Sequence, residues 1–188
     1  MNIIFIGFRG TGKTTIGKML AQQLGKEFID ADEYLEYKQG KTIQDIFTDG
    51  GEPLFRDIET QTIAELCHLD GKVIATGGGV ILREENIRNL KKNGIIILLD
   101  ADVDTLHKRI HEDTRTRLKR PNLTNLNAYE EIEFLLAYRR PRYDRIADFV
   151  INTASMSKHD AVNKIIAFIV TSVKDLKKGN RTVEYRGK

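Results

Sequence analysis

The chain has 188 residues, enough for one domain with a sizeable core, and no apolar run reaches the roughly 18 residues that a membrane-spanning helix needs. Its net charge of +3 is local: Lys174 to Lys188 hold six Lys/Arg against Asp175 and Glu184, so the rest of the chain sums to −1. That excludes a basic nucleic-acid-binding face on the domain itself and leaves a solvated basic tail. The single Cys67 excludes an internal disulfide, and within the apolar pattern Ile63, Leu66, Cys67 it reads as a reduced core cysteine of a cytoplasmic protein.

Ile3 to Ile6 reads as a strand, and because the chain opens on it no signal peptide is expected. Thr15 to Leu24 predicts a helix with Ile16, Met19, Leu20 and Leu24 on one face. Lys26 to Asp30 is a short second strand ending in acid, and a helix starts at Asp32 and runs to Gln39. Thr42 to Phe47 is a short helix stopped by Asp49-Gly50-Gly51. A longer helix follows from Glu52 to Leu69, with Pro53 near its first turn and Phe55, Ile58, Thr62, Ile63 and Leu66 inward. Val73 to Thr76 is an apolar strand running into Gly77-Gly78-Gly79, and Glu84 to Lys92 is a polar-faced helix stopped by Gly94. Ile95 to Leu99 is apolar on both faces, as in a buried parallel sheet. Asp102 to His111 is helical, whereas 112–125 combines charge, a proline and little apolar periodicity and reads as a mobile loop. A helix from Asn127 to Tyr138, a strand from Asp148 to Asn152 and a last helix carrying Val162, Ile165, Ile166, Ile169 and Val173 complete the chain. Strands alternating with helices predict an α/β fold with a parallel sheet of about five strands. It forms a single domain over 1–173, followed by the basic tail 174–188.

The stretch Gly7-Phe8-Arg9-Gly10-Thr11-Gly12-Lys13-Thr14 fits the pattern G-x-x-x-x-G-K-[ST] between a strand and a helix, the context that gives this pattern meaning. Its glycines let consecutive backbone N–H groups turn inward on an anion, and the helix N-terminus adds its positive dipole end. Gly10, Thr11, Gly12, Lys13, Thr14 and Thr15 are the candidate ATP-binding residues. Lys13 reaches the β- and γ-phosphates, and the Thr14 hydroxyl ligates Mg²⁺. Asp30-x-Asp32 ends strand two and the glycine triplet ends strand three, so both should face this loop, because ligands of doubly wound sheets bind outside the carboxyl ends of the strands. Taken singly, Asp32 reads equally as a helix N-cap, Gly77 to Gly79 as a turn and Arg56 as a surface residue. Together with Arg139 they suit a small, anionic, hydroxyl-bearing acceptor.

Gly7-x-x-Gly10-x-Gly12-Lys13-Thr14-Thr15-Ile16-Gly17, Asp30-x-Asp32, Asp49-Gly50-x-x-x-x-Phe55-Arg56, the Gly77–Gly79 triplet, Arg120-Pro121 and Arg139-x-Pro141-x-Tyr143 together resemble the shikimate kinase family, collinearly from Asn2 to about Val173. The resemblance implies a three-layer P-loop kinase fold, with a five-stranded parallel sheet flanked by helices, and transfer of the γ-phosphoryl of ATP to the 3-hydroxyl of shikimate in aromatic amino-acid biosynthesis. It further implies that Asp32 holds the acceptor hydroxyl and takes its proton, and that Asp30 helps hold Mg²⁺ through water beside Thr14. Arg56 and Arg139 would clamp the shikimate carboxylate bidentately, with Gly77, Gly78 and Gly79 forming the wall against the substrate. On the same resemblance the substrate-binding helical region would span about 32–62, Arg120 would close over the phosphates from the lid at about 112–125, and a monomer is expected.

Asn122-Leu123 stands where the family continues with two leucines, Arg115, Arg117 and Lys119 crowd Arg120, and the adenine contact falls around Met156 or Ser157. Asp100 mimics a second metal-binding aspartate at a strand end, but Asp30 already supplies that carboxylate. His107 and His111 share a helix face with no third ligand, which favours solvation over metal. A kinase of gluconate or of a nucleoside monophosphate is the rival enzyme, disfavoured by Asp32, Arg56 and Arg139 together. A GTP-dependent switch would need Asn-Lys-x-Asp after a strand, and the Asn-Lys of this chain, Asn163-Lys164, runs into Ile165-Ile166.

Overall fold

The computed structural model describes residues 1–112 and 127–177, with only the backbone of 173–177, so the side chain of Val173 and residues 178–188 of the predicted tail fall outside it. Strand β1 (Asn2–Ile6) is buried along its whole length at the centre of a parallel sheet of order β2-β3-β1-β4-β5. Its partners are β3 (Val73–Ala75) on one side and β4 (Gly94–Asp100) on the other, with β2 (Phe28–Asp30) and β5 (Phe149–Asn152) at the edges.

Successive side chains of a strand point to opposite faces, and here both faces are covered. Ile4, Ile6, Ile74, Ile96 and Leu98 form one core with Ile63, Leu66, Ile87, Leu90, Tyr143 and Ile146. Those residues come from helices α3 (Ile43–His68), α4 (Glu84–Lys92) and α6 (Ala128–Ile146). Ile3, Phe5, Val73, Ile97 and Leu99 form the other with Ile16 and Leu20 of α1 (Lys13–Leu24) and Val162 and Ile165 of α7 (Lys158–Lys177). Helix α2 (Ala31–Gln39) follows β2 directly, and α5 (Val103–Glu112) follows β4. This is the three-layer α/β arrangement expected from the sequence.

The differences from expectation have local causes. The two helices expected on either side of Asp49-Gly50-Gly51 abut as α3, and its one non-helical residue is Gly51 at φ 67°, ψ −165°, a conformation open to glycine. Pro53 then sits at the start of the second segment, where its missing N–H breaks no helical bond. Helix α6 runs through Pro141 to Ile146 rather than ending at Tyr138. Arg139, Tyr143 and Ile146 continue the buried stripe of Ile132 and Leu135, and that burial outweighs the roughly 3 kcal/mol a mid-helix proline costs. Glu112, assigned to the lid loop, is instead the last residue of α5, and α7 continues past the expected domain end at 173. A 3-10 turn at Val80–Leu82, not anticipated, follows the glycine triplet. Cys67 is half-buried, and burial pushes its thiol up to about 11, the chemistry of an inert core cysteine. No helix among the described residues is long and apolar enough to cross a membrane.

Candidate active site

The site lies at the carboxyl ends of β1, β2 and β3. The glycine loop joins β1 to α1, with Gly10 and Gly12 at φ +82° and +93°. Gly12 is the N-cap of α1 and supplies no side-chain cap, which leaves the first-turn N–H groups to an anion. Thr11 Oγ1 donates to the Phe8 carbonyl at 2.8 Å, and Lys13 Nζ donates to the Gly7 and Phe8 carbonyls at 2.8 Å each, folding the ammonium across the loop.

Thr14 Oγ1 donates to Asp30 Oδ2 at 2.8 Å, while Asp30 Oδ1 accepts from the Asp32 backbone N–H at 3.1 Å. Asp30 is therefore the N-cap of α2, and Asp32 is released from the capping role the sequence left open for it. Burial, and then the neighbouring Asp32 carboxylate, hold the Asp30 carboxyl above the usual carboxylate range against the opposing hydrogen bond from Thr14. Gly10 to Thr15, Asp30 and Asp32 line one open cleft together with Arg109, Thr153, Met156 and Ser157, and Arg109 Nη1 donates to the Gly10 carbonyl at 3.3 Å.

A second, smaller cavity opens beside it. Its apolar lining is Phe8, Phe47, Phe55 and Leu135, and its polar lining is Arg9, Arg56, Glu131, Arg139 and the backbone of Gly78 and Gly79. Arg56 is 8% exposed and is held by Glu59 (Nη1 to Oε2, 2.7 Å) and by Glu52 (Nε and Nη2 to Oε1, 3.1 and 3.0 Å). Arg139 lies over the Phe8 ring and its Nη1 is 3.5 Å from the Gly78 carbonyl, to which the buried Tyr143 hydroxyl also donates. Arg9 and Gly78 border both cavities.

In the glycine wall it is contact at Gly79 that requires glycine, since its φ of −100° is open to any residue. A Cβ at Gly79 would stand 2.4 Å from Arg56 Nη2 and 2.7 Å from Cζ, on a guanidinium already fixed by two carboxylates. With Arg56 in the acceptor role that the resemblance implies, Gly79→Ala is expected to displace it and raise the acceptor KM about tenfold, the effect of roughly 1.4 kcal/mol of overpacking, with the ATP KM unchanged. Steady-state kinetics with each substrate varied in turn check this.

The sequence profile of the shikimate kinase family matches residues 9–170. The shikimate kinase of Thermodesulfovibrio yellowstonii is 44% identical over 165 residues, 88% of this chain and 92% of that protein. That of Pelotomaculum thermopropionicum is 41% identical over 168 residues, 89% and 95% of the two.

The chain belongs to the shikimate kinase family.

A solved shikimate kinase from Acinetobacter baumannii, in complex with shikimate, superposes with a TM-score of 0.84 at 37% identity, covering 91% of this chain and 93% of that one. Family membership carries the activity: ATP-dependent phosphorylation of a shikimate hydroxyl.

Within this chain, the structure separates the sequence-derived site residues into two groups. Gly10 to Thr15, Asp30 and Asp32 share the larger cleft; Arg56, Gly78, Gly79 and Arg139 share the smaller cavity. Gly77 lines neither and accepts from Val80 N in the 3-10 turn. Arg120 lies outside the described residues, as do Arg115, Arg117, Lys119 and Asn122-Leu123. Asp100 pairs with Arg140 and lines neither cavity. The His107 and His111 rings are 6.3 Å apart, and among the described residues no three potential ligands gather around a metal position.

Sequence reasoning missed Arg109, whose Nη1 and Nη2 donate to the Thr153 hydroxyl (2.9 Å) and carbonyl (2.8 Å) on the rim of the larger cleft. No periodicity singles it out among the charges of α5. It also missed Glu52 and Glu59, although the spacing Glu52-x-x-x-Arg56-x-x-Glu59 carried the i,i+4 and i,i+3 signal of a helical ion-pair cluster.

Proposed function

We propose that this chain converts shikimate and Mg-ATP to shikimate 3-phosphate and ADP, acting as a cytoplasmic monomer built as one domain that includes the whole of α7, with Asp32 as base, Lys13 and Arg120 on the phosphates, and Arg56 and Arg139 on the acceptor. The observation that carries the reading is the junction at Arg9 and Gly78: the phosphate-loop cleft and the cavity that holds Arg56 and Arg139 share these two residues as a common wall.

In the reaction, the bond from the acceptor oxygen to the γ-phosphorus forms as the bond from that phosphorus to the ADP oxygen breaks, and the hydroxyl proton passes to the Asp32 carboxylate. The transfer is positioning and charge neutralisation more than covalent chemistry. Lys13 is already drawn over the loop and exchanges carbonyls for phosphate oxygens. Arg56 and Arg139 supply planar forks for the acceptor carboxylate, and the Phe47, Phe55 and Phe8 rings exclude water from the ring face of the acceptor. Gly77 to Gly79 are assigned to the wall against the substrate, Gly78 and Gly79 by direct contact and Gly77 by holding the turn behind them. Arg120 is assigned by its motif to the phosphates.

The donor set fits magnesium: the Thr14 hydroxyl and the Asp30 carboxylate are hard oxygen groups 2.8 Å apart, and Mg²⁺ characteristically keeps waters and phosphate oxygens for its remaining positions. When bound there with ATP, the ion would neutralise charge developing on the phosphates.

The raised Asp30 carboxyl gives a test with a definite sign. The folded state holds the Asp30 proton more tightly than the unfolded chain, so stability declines as pH rises through its folded pKa, and at neutral pH the ionised group is a net cost. Asparagine keeps the N-cap oxygen, and its amide NH2, in place of Oδ2, donates to the Thr14 hydroxyl that formerly donated to Asp30. Asp30→Asn is therefore expected to raise Tm in metal-free buffer at pH 7, by about 2–4 °C for each kcal/mol released, and to lose the further rise that Mg²⁺ gives the unmodified protein. Differential scanning fluorimetry with and without Mg²⁺ measures both. The position of transfer is read by NMR of the product: phosphorus coupled to H3 is expected, and coupling to H4 or H5 would overturn the assignment.

A further inference from the structure

We infer that Asn86, together with Arg83, is a positioning residue for the acceptor: the two hold the turn behind Gly79 where the glycine wall braces the Arg56 guanidinium. The inference rests on the acceptor role proposed above for Arg56. Asn86 lies in the first turn of α4 and is 0% exposed. Its Nδ2 donates at 3.0 Å to the carbonyl of Val80, the residue that follows the wall, while its Oδ1 is buried with no hydrogen-bond partner among the described residues. An amide buried with its oxygen unsatisfied gains little net stability from the one bond it makes. What that bond fixes is a position, the carbonyl one residue beyond Gly79.

Arg83 ties the same segment to the opposite side. Its Nη2 lies 2.7 Å from Asp57 Oδ1 and its Nη1 donates to Thr60 Oγ1 at 3.4 Å, and that hydroxyl donates in turn to the Arg56 carbonyl at 2.9 Å. The turn is thus bonded to α4 through Asn86 and, through Arg83, to the stretch of α3 that carries Arg56. The guanidinium and the wall arrive on separate elements: Glu52 and Glu59 hold Arg56 within α3, and Gly79 reaches it from the turn after β3. The two already touch, since a Cβ on Gly79 would stand 2.4 and 2.6 Å from Arg56 Nη2 and Nη1. A close-packed interior leaves no slack in such a contact, so a shift of the Val80 carbonyl passes to Gly79 and from there to the fork that meets the acceptor carboxylate. A bidentate fork depends on its placement more than a point charge does.

The test is isothermal titration of the full chain and of Asn86→Leu with shikimate and with a non-hydrolysable ATP analogue. The variant removes the donor to Val80 and the unsatisfied Oδ1 together. Shikimate is expected to bind about three- to tenfold more weakly, the loss of one net hydrogen bond, with the affinity for the ATP analogue unchanged. The readout that separates positioning from mere stability is the coupling to Arg56. In an Arg56→Lys background, where the fork is already lost, Asn86→Leu is expected to weaken shikimate by less than about twofold. The same loss in both backgrounds, or an unchanged shikimate affinity in the single variant, would overturn the inference. If Asn86→Leu does not fold, Arg83→Met replaces a partly exposed side chain and loosens the same turn. A loss for shikimate alone that disappears with Arg56→Lys supports the inference, and a loss that persists there, or none, contradicts it. An unmodified chain that binds no shikimate, or an Arg56→Lys chain that binds it as tightly as the unmodified one, fails the acceptor assignment itself, a result separate from either turn variant.

Discussion

Asp32→Asn is expected to lower kcat by about 10²–10⁴-fold, the range for loss of a general base, while ATP affinity stays within about twofold. Asparagine fills the same space but takes no proton from the acceptor hydroxyl. The substitution should spare the fold because the N-cap of α2 is Asp30, and the Asp32 group that bonds it is the backbone N–H, which the variant retains. It should spare the metal position as well. The Asp32 charge is the second cause, after burial, that holds the Asp30 carboxyl up, so removing it eases Asp30 ionisation. Coupled ADP-release kinetics and titration with a non-hydrolysable ATP analogue check the two halves. A large fall in nucleotide affinity with little change in kcat would move Asp32 from the acceptor to the nucleotide.

Lys13→Met is expected to cost about 10²–10³-fold in kcat/KM for ATP, the loss typical of one electrostatic contact to a reacting oxygen. It also carries a stability cost that Asp32→Asn does not. Lys13 Nζ ties the Gly7 and Phe8 carbonyls together at 2.8 Å, and a hydrogen bond to a charged group contributes about 1.5–3 kcal/mol. With about 2–4 °C of Tm per kcal/mol for a domain of this size, the variant should melt several degrees lower even without nucleotide. A calorimetric scan showing an unchanged Tm would mean that the loop holds its shape through the glycines and the Thr11 bond alone.

Most of the sheet was legible in the sequence for a physical reason. Strands buried on both faces have no polar alternation, so Ile3 to Ile6 and Ile95 to Leu99 stand out as unbroken apolar runs. The phosphate loop was legible because glycine, lysine and threonine at fixed spacing mark one backbone geometry. Long-range compensation was not legible. The predicted helix stopped at Tyr138, whereas the burial of Tyr143 and Ile146 that carries α6 on through Pro141 depends on packing against β4 and the 3-10 turn. The division of labour between Asp30 and Asp32 needed the turn into α2, since either residue type caps a helix. The Arg9–Glu131 pair joins residues 122 positions apart, and Arg109 finds its partner Thr153 across 44, so neither leaves a periodic trace. The acceptor cavity was legible as an inventory of arginines and glycines, but the carboxylates that hold Arg56 in place were overlooked beside it.

The most direct test of the acceptor assignment is ADP release from Mg-ATP by the purified chain, measured with shikimate, gluconate and the nucleoside monophosphates as alternative acceptors. The cavity built from Arg56, Arg139 and the Gly78–Gly79 wall predicts strong stimulation by shikimate and none above the no-acceptor rate by the others. Stimulation by gluconate or a nucleoside monophosphate with none by shikimate would contradict it.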